Sequence, residues 1–452
     1  MAHDTLESII SLAKRRGFIF QGSEIYGGLA GTWDYGPLGV ALKKNIENLW
    51  WKMFVTDRED MYGIDAAIIM NPNAWVASGH VAGFSDPLVE DAKTNKRYRA
   101  DHLLEEVGVN TKGKSLADLD TLLKEHNVLS PEGNPLGSVR QFNMMFKTFV
   151  GATEDASNVT YLRPETAGGM FVNYKNIIDA FHPKLPFGLA QIGKAFRNEI
   201  APRDFIFRVR ELEQMEIEYF VKPDNWQEQF ENFRQGVWNF IDAIGLSRDK
   251  VHELEVDEKD RAHYSSRTID FEFDYPFGRK ELYGLAYRTD FDLKSHQDMS
   301  TVDLTYFDEE SGTRFLPHVI EPSFGVGRTM LAVLTDAYTE DELGGERRVY
   351  LKLSKTIAPV RVAIFPLLKN KPELVVKARE VFGMIKKTIP NAMFDDNGNI
   401  GKRYRRQDEI GTPHCITIDF ETLEGKGVTV RDRDTGNQVR VNEEDLIAHL
   451  QG

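Results

Sequence analysis

A single cysteine, Cys415, stands among 452 residues. That scarcity excludes an internal disulfide framework and any thiolate cluster for zinc or iron–sulfur, and suits a reducing compartment. Long apolar runs are also missing, since no stretch approaches the ~20 residues that a bilayer-crossing helix needs. The opening MAHDTLESIISLAKRRGFIF puts acids before a short apolar run and offers no small-residue cleavage site, so no signal peptide is expected. The expected setting is therefore cytoplasmic, with no membrane partner. The sequence has no internal repeat and no low-complexity tract, and the glycine-rich segment PSFGVGRTMLAVLTDAY carries neither a G-x-G-x-x-G pattern nor a Walker lysine.

Positive charge is in deficit, with 56 Lys and Arg against 70 Asp and Glu, which at first argues against a nucleic-acid partner. The deficit is uneven. Residues 349–452 carry 17 basic and 14 acidic side chains, so the net −14 is an acidic body with a mildly basic C-terminal module. Such a module can still meet a phosphate backbone through local patches.

With 41% hydrophobic and 28% charged residues, the remainder is ordinary globular composition, enough for about two to four domains. Apolar spacing predicts helices over 4–16, 38–54, 101–108, 115–127, 225–244 and 373–387. Strands are expected at 188–199 and 207–221, joined as a hairpin, and near 268–273, 281–287 and 314–321. PSFGVGRTMLAVLTDAY reads as a glycine-rich turn entering a helix, and the polar stretch 336–358 as a linker. Beyond it VRVAIFPL, IDFE and GVTVRDRD read as strands of an α/β module.

Within 207–221, Met215, Ile217 and Tyr219 share one parity, and Gln214, Glu216 and Glu218 the other. A strand therefore packs one set on the core and presents the other as a line of charge. Further charge gathers as Arg163 with Glu165, Arg197 with Glu199, and Glu321, Ser323 and Arg328. Any one cluster can be a salt-bridge network. Together they suit a polyphosphate, gripped by the planar fork of arginine, beside an amine and metal ions held by carboxylates.

These residues fall in motifs that resemble the dimeric class II glycine–tRNA ligases. GPLGVALKKNIENLWWKMF (36–54), FRNE (196–199) with RVRELEQMEIEYF (208–220), and EPSFGVGR (321–328) are similar to the three class II signatures. LRPETAGG (162–169) is similar to the glycine enzymes' LRPETAQG, and IGKRYRRQDEIGTPHCITIDF (400–420) with VTVRDRD (428–434) to an anticodon-binding domain.

The resemblance implies an α+β fold with an antiparallel catalytic sheet flanked by helices. The implied layout is a catalytic domain at 1–80 and 158–345, an insertion at 81–157, a linker at 346–358 and an anticodon-binding domain at 359–452. It implies ATP with Mg2+, tRNA(Gly) and a homodimer built through the first motif. The 38–54 helix carries Trp50 and Trp51 beside its apolar seam, more aromatic area than one core stripe needs, so part of that area is expected to pack on the partner. Arg197 would hold the α-phosphate, Glu199 the adenine amino group, and Arg208 and Arg328 the β and γ phosphates. Leu212 would lie against adenine, and Glu281 and Glu321 beside magnesium. Arg163, Glu165, Glu216, Glu321 and Ser323 would form the glycine pocket, and Arg403, Arg405, Arg406, Arg431 and Arg433 would contact tRNA.

The chain departs from the pattern in three places. Leu212 stands where the family has a stacking phenylalanine, at a loss of ~0.5–1.5 kcal/mol of aromatic contact. Gly168 replaces the family's glutamine, which leaves a corner of the glycine pocket wetter or filled from elsewhere. Residues 91–97 lack the cysteines some relatives carry, so no zinc is expected. The competing reading is a catalytically inactive synthetase-like subunit that only binds nucleic acid. Such a copy should have lost Arg197, Glu199 or Arg328, and all three are present.

Overall fold

The computed structural model describes residues 2–111, 113–262 and 264–451. Its centre is a seven-stranded sheet in the order Val251–Glu255, Arg267–Tyr275, Gly278–Thr289, His318–Gly325, Glu211–Val221, Phe187–Phe196, Met61–Gly63. Every pairing is antiparallel except the last. Against one face pack the helices Pro37–Trp51, Trp226–Ile244 and Val326–Ala337, whose apolar stripes meet Met215, Ile217, Tyr219, Tyr283 and Phe324 in one core. The helix Ala167–Phe181 packs elsewhere on the sheet, through Met170, Phe171 and Tyr174.

The insert hangs from the catalytic body as a unit. Strand Ser85–Glu90 lies between Arg97–Arg99 and Arg140–Asn143, covered by helices Ala100–Glu106 and Leu116–Glu125. Val89, Leu103, Leu104, Leu119 and Leu123 give it a core of its own. The Asp91 carboxylate accepts from the Lys93 and Thr94 amides and from Ser130 and Asn134, which closes its loops.

At the C-terminus a five-stranded mixed sheet runs Ala392–Phe394, Val362–Pro366, His414–Ile418, Val428–Asp432, Gln438–Val441. The helix Pro372–Thr388 buries Leu374, Val381 and Ile385 against it. Among the described residues no helix is long and apolar enough to cross a membrane.

Four expectations are corrected. The stretch read as a linker holds a hairpin, Tyr338–Leu343 with Glu346–Leu351. Its two-residue loop, Gly344-Gly345, has both φ angles positive (64° and 81°), the conformation tight hairpins take and glycine supplies without strain. The segment PSFG is the end of strand His318–Gly325 and passes into Val326–Ala337 with no intervening turn. A Cβ at Gly327 would sit 2.9 Å from the Ile206 carbonyl oxygen, so that glycine permits close packing. In IDFE the strand ends at Ile418, and Asp419 caps the short helix Phe420–Leu423. Trp50 faces inward, fully buried beside Phe54 and Phe324, while Trp51 packs over Gly63. Trp50 is therefore not available to a partner, and Trp51 is only partly exposed.

Candidate active site

Strand Glu211–Val221 runs down the middle of the sheet, with Glu216 opposite Gln191 on one side and Ser323 on the other. Alternation puts Gln214, Glu216 and Glu218 on the face away from the main core, as the parity requires. That face is covered: Glu216 is 2% exposed and Glu218 0%. Charge read from sequence as a presented line is in fact a buried one.

Where strand Phe187–Phe196 ends and Glu211–Val221 begins, a cleft of about 280 Å³ opens, lined by Arg197, Glu199, Arg208, Leu212, Glu281 and Arg328 among others. All six residues expected around ATP meet there. Arg197 is aimed by a hydrogen bond from Nε to the Pro164 carbonyl (3.1 Å) and by stacking over Phe84. Arg328 lies over Phe207, its Nη1 3.0 Å from a Glu281 carboxylate oxygen, and this arginine holds the Glu281 carboxyl below the usual range. Glu199 Oε2 and Arg208 Nη1 are buried 4.0 Å apart, and neither has a hydrogen-bond partner among the described residues. Two such groups cost free energy unless a ligand supplies partners.

A second cavity, about 310 Å³, shares Arg197, Gln214, Glu281 and Ser323 with the first and adds Glu165, Glu216, Glu321 and Tyr264. Ser323 donates to Glu216 at 2.7 Å, and Thr166 donates to its other oxygen. Glu216, Glu218 and Glu321 bring one carboxylate oxygen each within 4.8 Å of one another, a set that could hold a cation. Burial, then the neighbouring Glu165, raises the Glu216 carboxyl, and burial followed by Glu321 pushes Glu218 well above the carboxylate range. Burial pushes Glu321 up to about 8. Glu165 is held low instead: His80 is the strongest lowering influence and outweighs, with Arg288 and Arg197, the larger effect of burial.

Sequence reasoning missed Arg288. It is 1% exposed and forks onto both Asp292 oxygens at 2.8 Å while Nη1 reaches Glu321 at 2.6 Å, its guanidinium lying 3.8 Å from the Tyr264 ring centre. Glu281 and Glu321, expected together at magnesium, thus answer to two different arginines.

Arg163 lies beneath the pocket and lines neither cavity. Fully buried, it donates to the carbonyls of Lys194 (2.6 Å) and Ala66 (2.8 Å), which corrects the expectation of glycine contact. A Cβ at Gly193 would sit 2.3 Å from its Nη2, so that glycine makes room for the guanidinium. Of the two expectations for the corner beside Gly168, wetter or filled from elsewhere, the second holds: the Trp75 indole lies 2.8 Å from where a Cβ would sit.

Three of the five arginines expected at tRNA are internal. Arg403 is spent on the carbonyls of Pro366, Asp396 and Gly398. Arg431 forks onto Asp408 (2.8 and 3.0 Å) over the Tyr404 ring, and Arg433 holds the carbonyls of Leu353 and Gly411. All three are at most 5% exposed, because burial in a small α/β domain forces each guanidinium to find acceptors. Arg405 and Arg406 remain partly exposed, paired with Glu346 and Asp395.

Arginines reaching a nucleotide-sized cleft from antiparallel strands, with no phosphate loop at a helix start among the described residues that line it, define a class II aminoacyl-tRNA synthetase. Residues 149–337 match the family described as tRNA synthetase class II core domain (G, H, P, S and T), and residues 361–452 the one described as Anticodon binding domain. The chain is 50% identical to the glycine–tRNA ligase of Clostridium tetani, over 99% of this chain and 98% of the relative. It is 48% identical to that of Caldanaerobacter subterraneus, again over 99% and 98%. The chain belongs to the glycine–tRNA ligase family.

Proposed function

We propose that this chain activates glycine with ATP and transfers it to tRNA(Gly). A glycine carboxylate oxygen attacks the α-phosphorus, the bond to the β-phosphate breaks, and pyrophosphate leaves with its electron pair. The terminal ribose hydroxyl of tRNA then attacks the glycyl carbonyl, loses its proton, and releases AMP. The observation that carries this reading is that Arg197 lines both cavities, so that a glycine carboxylate entering from one side would meet an α-phosphate from the other. Positioning and electrostatics suffice, and no side chain serves as a covalent nucleophile.

Arg197 would hold the α-phosphate, Arg208 and Arg328 the distal phosphates, and Glu199 the adenine amino group, with Leu212 against the base. Mg2+ arriving with ATP neutralises phosphate charge, and the half-exposed Glu281 at the cleft fits it. The ammonium of glycine would face Glu165, Glu216 and Glu321. Burial raises the Glu216 carboxyl and pushes Glu321 up to about 8 when the pocket is free, and an ammonium bound there would lower both by favouring their charged forms. A methyl group in that polar space would strip solvation from carboxylates without replacing it, a stronger rejection than the ~10–200-fold of an apolar pocket.

For tRNA, Arg405 and Arg406 are the two remaining candidates, both partly exposed. For assembly, a second copy of the chain is supported by Ile25 and Tyr26, 88% and 86% exposed in the loop before the helix Pro37–Trp51. Sedimentation at micromolar concentration should give about twice 51.5 kDa; a fully active monomer would contradict a dimer requirement.

The function itself is tested by glycine-dependent exchange of pyrophosphate into ATP without tRNA. Exchange with glycine and little with alanine or serine is expected. Robust exchange with either of those and none with glycine would overturn the assignment. No exchange with any amino acid would favour the inactive binding subunit.

A further inference from the structure

The segment leading into the insert touches the glycine pocket through one imidazole. His80 Nε2 lies 3.4 Å from Glu165 Oε2, and Nδ1 lies 2.8 Å from the Ser78 hydroxyl. Both partners of the ion pair are little exposed, at 11% and 13% of their side chains. If Ser78 donates to Nδ1, the remaining ring proton sits on Nε2 and points at Glu165, so even a neutral imidazole can hold the carboxylate.

The ring has further supports. Trp75 meets it edge-on at 5.5 Å and Phe84 packs at 5.4 Å. From the far end of the insert, Asn143 in the strand Arg140–Asn143 donates to the carbonyls of His80 and Val81. Phe84, four residues on, carries the Arg197 guanidinium on its face. One short turn thus touches both the carboxylate proposed for the ammonium and the arginine proposed for the α-phosphate.

We infer that His80 is a positioning residue that holds Glu165 toward the ammonium of glycine, and that the insert sets its place through Asn143. This rests on the proposed activation of glycine. It gives the insert a task in amino-acid binding that its separate core does not suggest. Nothing in the sequence pattern signals it, because His80 and Glu165 are 85 positions apart.

The test is steady-state pyrophosphate exchange with the full chain, measuring KM for glycine and for ATP separately. In His80→Ala, KM for glycine should rise about 10- to 100-fold, by analogy with losing a partner that orients a metal-ligating side chain, with KM for ATP within about twofold. His80→Gln, whose amide can still donate to Glu165, should recover most of the loss. Equal damage to both KM values, with glutamine no better than alanine, would mean that His80 only supports the fold. An unchanged KM for glycine would also overturn the inference. If His80→Ala does not fold, Ser78→Ala carries the test, since it keeps the ring but releases its tautomer. There KM for glycine should rise several-fold, and an unchanged value sinks the inference. Absence of glycine-dependent exchange in the unmodified protein would instead refute the function on which it rests.

Discussion

Replacing Arg197 by alanine should cut glycine-dependent exchange by roughly 100- to 1000-fold, or about 3–4 kcal/mol of barrier, the scale of losing one oriented donor to developing charge. The reason is its position: it lines both cavities, is fixed by the Pro164 carbonyl and the Phe84 ring, and is the arginine proposed to meet the α-phosphate as it becomes five-coordinate. Exchange and aminoacylation should fall together, since the second step consumes the product of the first. The contrasting variant joins Arg405→Ala to Arg406→Ala. Exchange does not involve tRNA and should persist, whereas tRNA binding should weaken and its salt dependence flatten by up to about one logarithmic unit per lost phosphate contact. Parallel kinetics and a salt series measure both. Exchange lost equally in the double variant would show those arginines serving the fold, Arg406 through its pair with Asp395.

The second large effect is expected at Arg288. Arg288→Met keeps bulk but leaves Asp292 and Glu321 buried without their cation. Breaking a buried ion pair from one side costs about 3–5 kcal/mol. Glu321, already pushed up to about 8, would answer by keeping its proton, which softens the loss of stability but removes negative charge from the ammonium pocket. The thermal midpoint should fall by several degrees and KM for glycine should rise. Arg288→Lys restores the charge without the two-pronged fit to Asp292, so it should recover only part of both. An Arg288→Met protein with an unaltered melting curve and unaltered kinetics would disprove the role.

Much of the nucleotide side was legible in the chain. Arg197, Glu199, Arg208 and Glu281 lie at strand ends or on strands whose period-two pattern is plain, and Arg328 follows a strand into its helix. All line one cleft. The glycine side was harder. Glu218 and Glu216 differ by one pleat repeat and read alike, yet Glu216 accepts hydrogen bonds and neither Glu218 oxygen has a partner among the described residues. Arg288 and Asp292 look like surface charges at helical spacing until the fold closes over them.

The same blindness misplaced Arg403, Arg431 and Arg433. An arginine beside aspartates reads equally as a tRNA contact or as an internal lattice, because composition does not encode depth. The hairpin at Gly344-Gly345 was missed for another reason. Its flanks DEL and ERR carry charge where a solvated strand pair tolerates it, and polarity was taken for the absence of structure.

The Trp75 indole and Gly168 divide a single volume between them. Substitutions at the two positions are therefore coupled. A side chain longer than hydrogen arriving first at 168 meets the six-membered ring of the indole and destabilises the protein by about 1–3 kcal/mol. Shortening Trp75 first opens a cavity costing about 3–5 kcal/mol, which a later glutamine at 168 could refill. Neither order is downhill at every step. The two positions therefore act as one unit: Gly168→Gln joined to Trp75→Ala should cost less stability than the two single changes added together, and a thermodynamic cycle of melting midpoints measures that coupling.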